Sequence, residues 1–216
     1  MTEPFSPEPF SPDTFATEPD RPSRTELRKI LRHKRRALSP QQQRQAAQRL
    51  ARQLLGHPLL YRARHIALYL PNDGEIDPRY YMAQARHRGI RFYLPVLHPL
   101  RRGHLVFSPY DFDTQLSPNR FGIPEPDFRD GLGRPPWALD AVLMPLVGFD
   151  RHGGRLGMGG GFYDRTFEFV RRTPALAPKL IGLAHDLQRM NLLPVQPWDI
   201  PLHAIVTDQG RYKARP

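Results

Sequence analysis

The stretch HIALYLPNDGEIDPRYYMAQARHRGIRFYLPV, residues 65–96, decides the fold. Its first six residues are an apolar run with the length of a buried strand, and the turn signal PNDG follows directly. A helix comes next, with Asp77 as its cap, Pro78 at its first position and Gly89 as its terminator. The run IRFYLPV is a second strand. Because a strand-helix-strand unit of about 30 residues normally makes a parallel pair, the stretch predicts a parallel sheet.

The rest of the chain alternates helices and strands in the same way. A helix is predicted from Arg24 to about residue 38, and a second one runs to about residue 55, with Ser39 as cap, Pro40 in the first turn and Gln42 completing a capping box. Further strands are predicted at 104–108, 138–147, 180–184 and 203–207, a helix at 161–172, and a loop with little regular structure at 109–136. This pattern predicts an α/β fold: an open, mostly parallel sheet sandwiched by helices in a Rossmann-like three-layer arrangement.

Length and composition bound the organisation of the chain. Its 216 residues need no more than one domain. Residues 1–22 repeat Phe-Ser-Pro among acidic residues and cannot bury enough apolar surface to order themselves. We therefore predict a disordered, acidic, proline-rich tail at 1–22 and a single α/β domain at 23–216. With no cysteine, disulfides and thiol catalysis are excluded.

Charge and hydropathy limit the classes of possible binding partner but do not identify one class. The formal net charge is +11, and residues 1–20 hold five acids and no Lys or Arg, so the positive excess lies in the remainder of the chain. Such a charge suits nucleic acid, phospholipid or a phosphorylated small molecule. No stretch approaches the roughly 20 apolar residues of a membrane span, and the N-terminus lacks the basic start and apolar run of a secretory signal. A cytoplasmic protein with no membrane partner is expected, and nothing demands more than a monomer.

The most informative chemistry lies in MPLVGFDRHGGRLGMGGGFYD, residues 144–164. Six of the nine positions from 153 to 161 are glycine, between a predicted strand and a predicted helix. Glycines let backbone amides approach an anion closely, and a helix N-terminus favours negative charge. Arg155 adds a planar fork for phosphate and Asp164 a hard oxygen for magnesium. The spacing is neither a P-loop nor a G-x-G-x-x-G motif, and a flexible glycine hairpin is the competing interpretation.

The chain resembles the 5-formyltetrahydrofolate cyclo-ligase family, also called 5,10-methenyltetrahydrofolate synthetases. The segment RLGMGGGFYD, from Arg155 to Asp164, is similar to the family's hallmark motif. Other segments match in order: RTELR with RRALS in the first helix, LPNDGEID at 70–77, FGIPEP at 121–126 and LPVQPWD at 193–199. Together they span about residues 24–208.

The resemblance implies a reaction and its site. ATP and 5-formyltetrahydrofolate give 5,10-methenyltetrahydrofolate, ADP and phosphate with Mg²⁺, through a phosphorylated formyl group that N10 of the folate then attacks. Such a reaction requires positioning and cationic stabilisation of the phosphoryl group. Arg155 and Tyr163 are implied as catalytic and Asp164 and Asp199 as magnesium ligands. The implied ATP contacts are Arg24, Arg28, Arg155, Gly157, Gly159, Gly160, Gly161, Phe162 and Tyr163, and the implied folate contacts are Glu75, Phe121, Phe162 and Tyr163.

Each assignment has a plainer alternative. Arg28 could belong to a solvated basic helix face, Asp77 and Asp199 could be caps, Glu75 could be a turn residue, and the aromatic residues could be core. Two positions depart from the family's pattern. Arg24 stands where the family has a lysine, so a fork replaces a point charge. His203 stands where the family often has a second acid, and it would be a poorer ligand for magnesium.

Two other functions remain open from the sequence. The basic charge and the Arg-rich first helix would suit a nucleic-acid-binding protein, which predicts exposed aromatics within a basic patch and no closed pocket. A sugar-phosphate isomerase or CoA-transferase-like enzyme would suit the same sheet and any phosphate cradle, with Glu75 as its base. The cyclo-ligase reading expects small-molecule substrates and no nucleic acid.

Overall fold

A seven-stranded sheet forms the centre of the molecule in a computed structural model that describes residues 22–128 and 133–214. Five neighbouring strands of this sheet pair in parallel, and each of the two edge strands is antiparallel to its neighbour. In their order across the sheet, the strands are β12 Arg211–Lys213, β11 Ala204–Thr207, β9 Lys179–Ala184, β6 Ala141–Pro145, β1 His65–Ala67, β2 Arg91–Leu97 and β3 Leu105–Tyr110. The predicted α/β fold with a mostly parallel sheet is confirmed. The tail predicted at 1–22 lies, but for its last residue, outside the described residues.

The pairing of the strands shows where a ligand site should form. Strands β11, β9, β6, β1 and β2 pair in parallel, and the edge strands β12 and β3 are antiparallel. The chain adds β2 on one side of β1 and later adds β6 on the other. In open α/β sheets, ligands bind beyond the carboxyl ends of the strands where the order reverses in this way. The carboxyl ends of β1 and β6 are therefore the expected location.

Short strands beside the sheet carry the glycine segment and one wall of the site. β7 Gly148–Asp150 pairs with β8 Arg155–Leu156 and with β10 Arg189–Met190, and β4 Leu116–Pro118 pairs with β5 Pro124–Pro126. The amides at 152 and 154 both donate to Asp150 Oδ1 at 2.8 Å, which closes the turn between β7 and β8. The glycine segment thus leaves a tight hairpin before it enters the site.

The helices begin where the sequence places capping residues. They are α1 Arg24–Arg36, α2 Pro40–Leu55, α3 Arg79–Ala85 and α4 Phe162–Thr166. The capping box predicted from Ser39 and Gln42 is present on α2, and α1 has another from Ser23 and Glu26. Gly89 has the expected left-handed conformation, φ 68°.

The core lies on both faces of the sheet. On one face, α2 and α3 pack Leu50, Leu54 and Tyr81 against the strands. On the other face, the segment after α4 packs Phe167 and Val170 beside Phe149. Helix α1 covers the glycine hairpin through a smaller group, Leu27 and Leu31 with Val147, Leu156 and Leu193. The predicted three layers are present, and α1 is fixed to the glycine segment itself.

Three predicted elements differ from the structure. The region 109–136 was expected to be loop, yet it holds the β4–β5 hairpin, in which the Asn119 side chain accepts the amides of Phe121 and Ile123. The strand predicted at 138–147 is shorter, because Pro136–Ala138 forms a 3-10 turn. The helix predicted at 161–172 is only α4, followed by a 3-10 segment, because Phe167 turns into the core with a non-helical backbone.

The start of α3 also differs slightly. The first helical residue is Arg79 and the N-cap position is Pro78, one residue later than predicted. The carboxylate of Asp77 nevertheless accepts the Arg79 amide at 2.9 Å, so it does the work of a cap. Among the described residues, no helix is both long and apolar enough to cross a membrane.

Candidate functional site

A cavity of about 910 Å³ opens at the carboxyl ends of β1 and β6. Tyr69 and Leu70 follow β1 into its wall, and Met144 and Pro145 end β6 there. Every residue that the sequence proposed for the site lines this one cavity: Arg24, Arg28, Glu75, Phe121, Arg155, Gly157, Gly159, Gly160, Gly161, Phe162, Tyr163, Asp164 and Asp199. Segments far apart in the sequence therefore converge at the strand-order reversal.

The glycine segment presents backbone donors to the cavity. Within residues 22–128 and 133–214, the amides from Gly157 to Gly161 donate to no other group of the protein. Gly159 and Gly161 have φ values of 96° and 67°, which glycine adopts without strain. Successive free N–H groups in such a turn form a concave anion site. Because α4 has only five residues, these amides carry the site and the expected contribution of a long helix dipole is absent.

Arg28 lies directly over this glycine turn. Its Nε donates to the Gly157 carbonyl at 2.9 Å, and a Cβ on Gly159 would lie 3.4 Å from the Arg28 guanidinium carbon. Neither Nη atom of Arg28 has a partner in the described part of the chain. Burial, and then the neighbouring charge of Arg24, lower the pKa of Arg28, which still remains a cation. A fork of two free donors beside the free amides suits a phosphate chain.

Three other arginines of α1, Arg24, Arg32 and Arg35, are buried or partly buried, whereas Arg36 is exposed. Arg24 donates to both oxygens of Asp199, at 2.7 and 3.1 Å, and Arg32 donates to Asp73 at 2.6 Å. Arg35 is completely buried. Their helical spacing places Arg24 against the cavity, and Arg32 and Arg35 against Asp73 in the turn beside it.

The buried Arg155 and the partly exposed Asp164 form an ion pair at the base of the glycine turn. The Nε of Arg155 donates to the Ile200 carbonyl at 2.8 Å, and the Ile200 amide donates to Asp164 Oδ1 at 3.1 Å. Arg155 Nη1 and Asp164 Oδ2 have no partner in the described residues. Each residue thus has one side fixed by the protein and one side available to a ligand.

Glu75 is a largely buried acid in the lining of the same cavity. Its side chain is 10% exposed, accepts the Asn72 amide at 3.2 Å and lies 3.6 Å from Arg35. Burial raises the pKa of Glu75 to about 7, although the nearby Arg35 guanidinium acts to lower it. A carboxyl that titrates near neutrality at the wall of a cavity is a candidate for ligand binding or proton chemistry.

Aromatic side chains enclose the space between Glu75 and the glycine turn. Tyr163 stacks on Phe167 with 12° between the ring planes, and Phe162 meets Phe121 edge to face at 5.9 Å. Burial, and then the charge of Glu75, raise the pKa of Tyr163, so its hydroxyl stays protonated and can donate a hydrogen bond. Phe121 is 56% exposed and lies at the rim. Phe121 is therefore not a core residue, which was the alternative interpretation from the sequence.

Some cavity residues were not singled out from the sequence. Asn119 donates to Glu125 at 2.9 Å, and the same carboxylate accepts the Leu97 amide at 3.3 Å, which fixes the β4–β5 hairpin as a wall. Arg171 reaches the Asp199 carbonyl at 2.9 Å. The FGIPEP motif contained Glu125, but nothing in its spacing predicted the contact with β2.

His203 does not line the cavity, and its Nδ1 accepts a hydrogen bond from the Leu180 amide at 3.1 Å.

Comparison with known proteins agrees with the site. The model of the 5-formyltetrahydrofolate cyclo-ligase family matches residues 20–208. The 5-formyltetrahydrofolate cyclo-ligase of Escherichia coli strain K12 is 44% identical over 180 residues, which are 82% of this chain and 96% of that protein. That of Haemophilus influenzae is 40% identical over 183 residues, which are 85% and 94%.

A solved structure gives the same result. The NMR structure of 5,10-methenyltetrahydrofolate synthetase from Aquifex aeolicus superposes with a TM-score of 0.74 at 29% identity and covers 89% of this chain and 93% of that one. The region matched by the family model runs from before α1 to just beyond β11 and contains the whole lining of the cavity. The chain belongs to the 5-formyltetrahydrofolate cyclo-ligase family.

Proposed function

We propose that the chain converts 5-formyltetrahydrofolate to 5,10-methenyltetrahydrofolate at the expense of ATP, with release of ADP and phosphate. One observation carries the proposal: the same cavity joins a turn of free backbone amides beneath Arg28 to the buried carboxyl of Glu75. The first group suits a phosphate chain and the second a heterocycle with N–H donors. Family membership supports both substrates.

The nucleotide half of the proposed site is the glycine turn with its arginines. Arg28 and the amides of Gly157, Gly159, Gly160 and Gly161 would hold the phosphates. Arg24 would add positive charge beside them from its ion pair with Asp199. The rings of Phe162 and Tyr163 would bound this half of the cavity.

The folate half is the space between Glu75 and the aromatic wall. The Glu75 carboxylate would accept hydrogen bonds from the N–H groups at the pterin edge. Phe121, Phe162 and Tyr163 would enclose the flat ring system, as aromatic side chains do in apolar ligand pockets.

The proposed reaction needs placement of atoms more than covalent chemistry from the protein. The formyl oxygen attacks the γ-phosphorus, and ADP leaves. N10 then attacks the formyl carbon, the phosphate leaves with the former formyl oxygen, N10 loses its proton, and the carbon bridges N5 and N10. Arg155, through its free Nη1, would stabilise charge on the transferring phosphoryl group. The Tyr163 hydroxyl would donate a hydrogen bond to the reacting oxygen.

The residues present also fit a magnesium ion. No group of three or more metal-binding side chains occurs among the residues that the structure describes. Mg²⁺ bound with a nucleotide, however, usually takes one or two carboxylates together with substrate phosphates. Asp164 lines the cavity, and its Oδ2 has no partner among the described residues. Asp199 also lines the cavity, and both of its oxygens accept from Arg24, so it would bind the ion while it keeps or exchanges that contact. We propose these two carboxylates as the holders, and the ion would neutralise phosphate charge.

Product formation tests the function. The full chain with 5-formyltetrahydrofolate, ATP and Mg²⁺ should produce the absorbance band of the methenyl product, with one ADP and one phosphate released per turnover. Each single omission should abolish the signal. Absence of product, together with tight salt-sensitive binding of DNA or RNA, would reverse the assignment. A cytoplasmic location and a monomeric state stay predictions from the sequence.

A further inference from the structure

Arg35, near the end of α1, contacts the turn at residues 71–77 that carries Glu75. Its side chain is completely buried, and its Nε and Nη2 donate to the carbonyl and the carboxylate of Asp73 at 2.7 and 2.8 Å. A third donor, Nη1, reaches the Leu146 carbonyl at 3.3 Å, and Nη2 also lies 3.9 Å from the Met158 sulfur in the glycine turn. One buried cation therefore touches the Glu75 turn, the end of β6 and the glycine turn.

The turn itself has a conformation that needs support. Asp73 has a φ of 55°, unusual for a residue with a side chain, and Gly74 follows with 76°. A Cβ on Gly74 would lie 3.1 Å from the Arg35 carbonyl. Gln43 donates to both the Arg35 and Gly74 carbonyls, at 3.1 and 3.3 Å. The backbone of α1 and the side chain of Arg35 thus hold the turn from one side.

We propose that Arg35 is a positioning residue for Glu75: it holds the 71–77 turn so that the Glu75 carboxylate faces the cavity, and its positive charge favours the ionised form of this carboxylate. The proposal deepens the proposed function, on which its catalytic consequence rests. The geometric support is the 3.6 Å separation between Arg35 Nη2 and Glu75 Oε1.

Other groups around Glu75 act in both directions. Burial raises the pKa of Glu75 to about 7, the charges of Arg35 and Arg32 lower it, and that of Asp73 raises it. The titratable and charged groups that surround this turn are Arg32, Arg35 and Arg36 from α1, Asp73 and Asp77 on the turn, Arg79 paired with Asp77, Tyr69 after β1, Tyr163 in α4, and His185 after β9, which contacts the Gly74 carbonyl. Arg35 is the cation that touches Glu75, and Asp73 is the neighbouring anion.

The test measures the titration of Glu75 directly. The full chain, labelled with ¹³C at the glutamate side-chain carboxyls, is titrated by NMR without substrates, and Glu75→Gln identifies the resonance. Arg35→Met should raise the midpoint by about one to three pH units, since it removes an opposite charge at contact distance. Arg35→Lys, which keeps the charge, should stay near the wild-type midpoint.

Asp73→Asn separates electrostatics from a general loosening of the turn. Asparagine tolerates the left-handed backbone, and the substitution removes a like charge, so the midpoint should fall. A structural effect alone would move Arg35→Met and Asp73→Asn in the same direction. Arg36→Gln is the matched control, because Arg36 is half-exposed and binds Asp73. The titration midpoint of Glu75 should not change in Arg36→Gln.

Two results would overturn the proposal: an unchanged or lower midpoint in Arg35→Met, or a higher midpoint in Asp73→Asn. If Arg35→Met does not fold, Arg35→Lys and Asp73→Asn decide the matter. The titration needs no turnover, so it stays readable if the cyclo-ligase assay fails. If that assay succeeds, the rise of kcat/KM for the folate with pH should move upward in Arg35→Met and not in Arg36→Gln.

Discussion

Arg24 and Asp199 form a two-point ion pair across 175 positions of the sequence, with N–O distances of 2.7 and 3.1 Å. The pair joins the first turn of α1 to the LPVQPWD segment, and Arg24 also donates to the Pro194 carbonyl at 2.7 Å. An arginine fork can satisfy both oxygens of a carboxylate, whereas a lysine cannot. The arginine at position 24 therefore makes a two-point ion pair in the wall of the cavity that a lysine could not make.

Asp199→Asn tests this pair. The substitution leaves Arg24 without its counter-charge in a site where both side chains are mostly buried. We expect a loss of about 1–3 kcal/mol in the free energy of unfolding and a rise of about tenfold or more in KM for ATP, equivalent to about 1.4 kcal/mol. Urea titration and initial rates measure the two effects.

The control for this prediction is Asp77→Asn. Asp77 pairs with the largely exposed Arg79 outside the cavity, so its substitution should cost less than about 1 kcal/mol and leave KM for ATP unchanged. Equal effects of the two substitutions would show that the Arg24–Asp199 pair has no special part in ATP binding.

Gly159→Ala tests the glycine turn. A side chain at a φ of 96° is strained by about 1–3 kcal/mol, and its Cβ would lie 3.4 Å from Arg28. We expect KM for ATP to rise by about tenfold or more, because both the amide positions and Arg28 must shift. Gly210→Ala is the control, since Gly210 lies outside the cavity, has no positive φ and has no neighbours within 4 Å. Normal ATP binding by Gly159→Ala would contradict the proposal that the amides of residues 157–161 bind the phosphates.

Asp164→Asn tests the proposed magnesium ligand. It removes the free carboxylate oxygen and the counter-charge of Arg155, so we expect kcat to fall by about 100-fold and the Mg²⁺ concentration for half-maximal rate to rise. Glu168→Gln is the control, because Glu168 lines the same cavity but is 67% exposed and pairs only with Arg172 among the described residues. A magnesium dependence unchanged in Asp164→Asn would remove this residue from the site.

Glu75 should make stability depend on pH. Its folded pKa of about 7 lies above its ordinary value of 4.5, so between these pH values the folded state binds more protons than the unfolded state. The stabilising contribution of Glu75 is then fully present below about pH 4.5 and is lost as the pH rises through about 7. The corresponding loss is about 3 kcal/mol at pH 8, and Glu75→Gln should lack it.

Urea unfolding of wild type and Glu75→Gln at pH 4.5 and pH 8 measures this difference. The substituted protein should gain relative to wild type at the higher pH only. Identical pH dependence in the two proteins would mean that Glu75 is not buried as an acid. In activity assays, Glu75→Gln should raise KM for the folate more than KM for ATP.

Local sequence signals predicted the fold well because the decisive physics was local. The capping box at Ser39, the left-handed Gly89 and the apolar runs of β1 and β2 act over a few residues. The β4–β5 hairpin was missed because its turn depends on the Asn119 side chain, amid prolines that normally weaken strands.

The sequence predicted which residues form the site, but it did not predict which of them pair with each other. Motifs showed which residues belong together, and all of them line the cavity. Sequence spacing could not show that Arg155 pairs with Asp164 or Arg24 with Asp199, because those contacts depend on the folded chain. Arg35 was missed for the same reason: its partners at 73 and 146 come from other elements.

The most direct test of the proposed activity follows one oxygen atom. The full chain is supplied with 5-formyltetrahydrofolate labelled with ¹⁸O in the formyl group, unlabelled ATP and Mg²⁺, and the released phosphate is analysed by mass spectrometry. Attack of the formyl oxygen on the γ-phosphorus predicts one ¹⁸O atom in each phosphate, formed together with the methenyl product. Phosphate without the label would contradict the account, because ATP would then be hydrolysed without activating the formyl group.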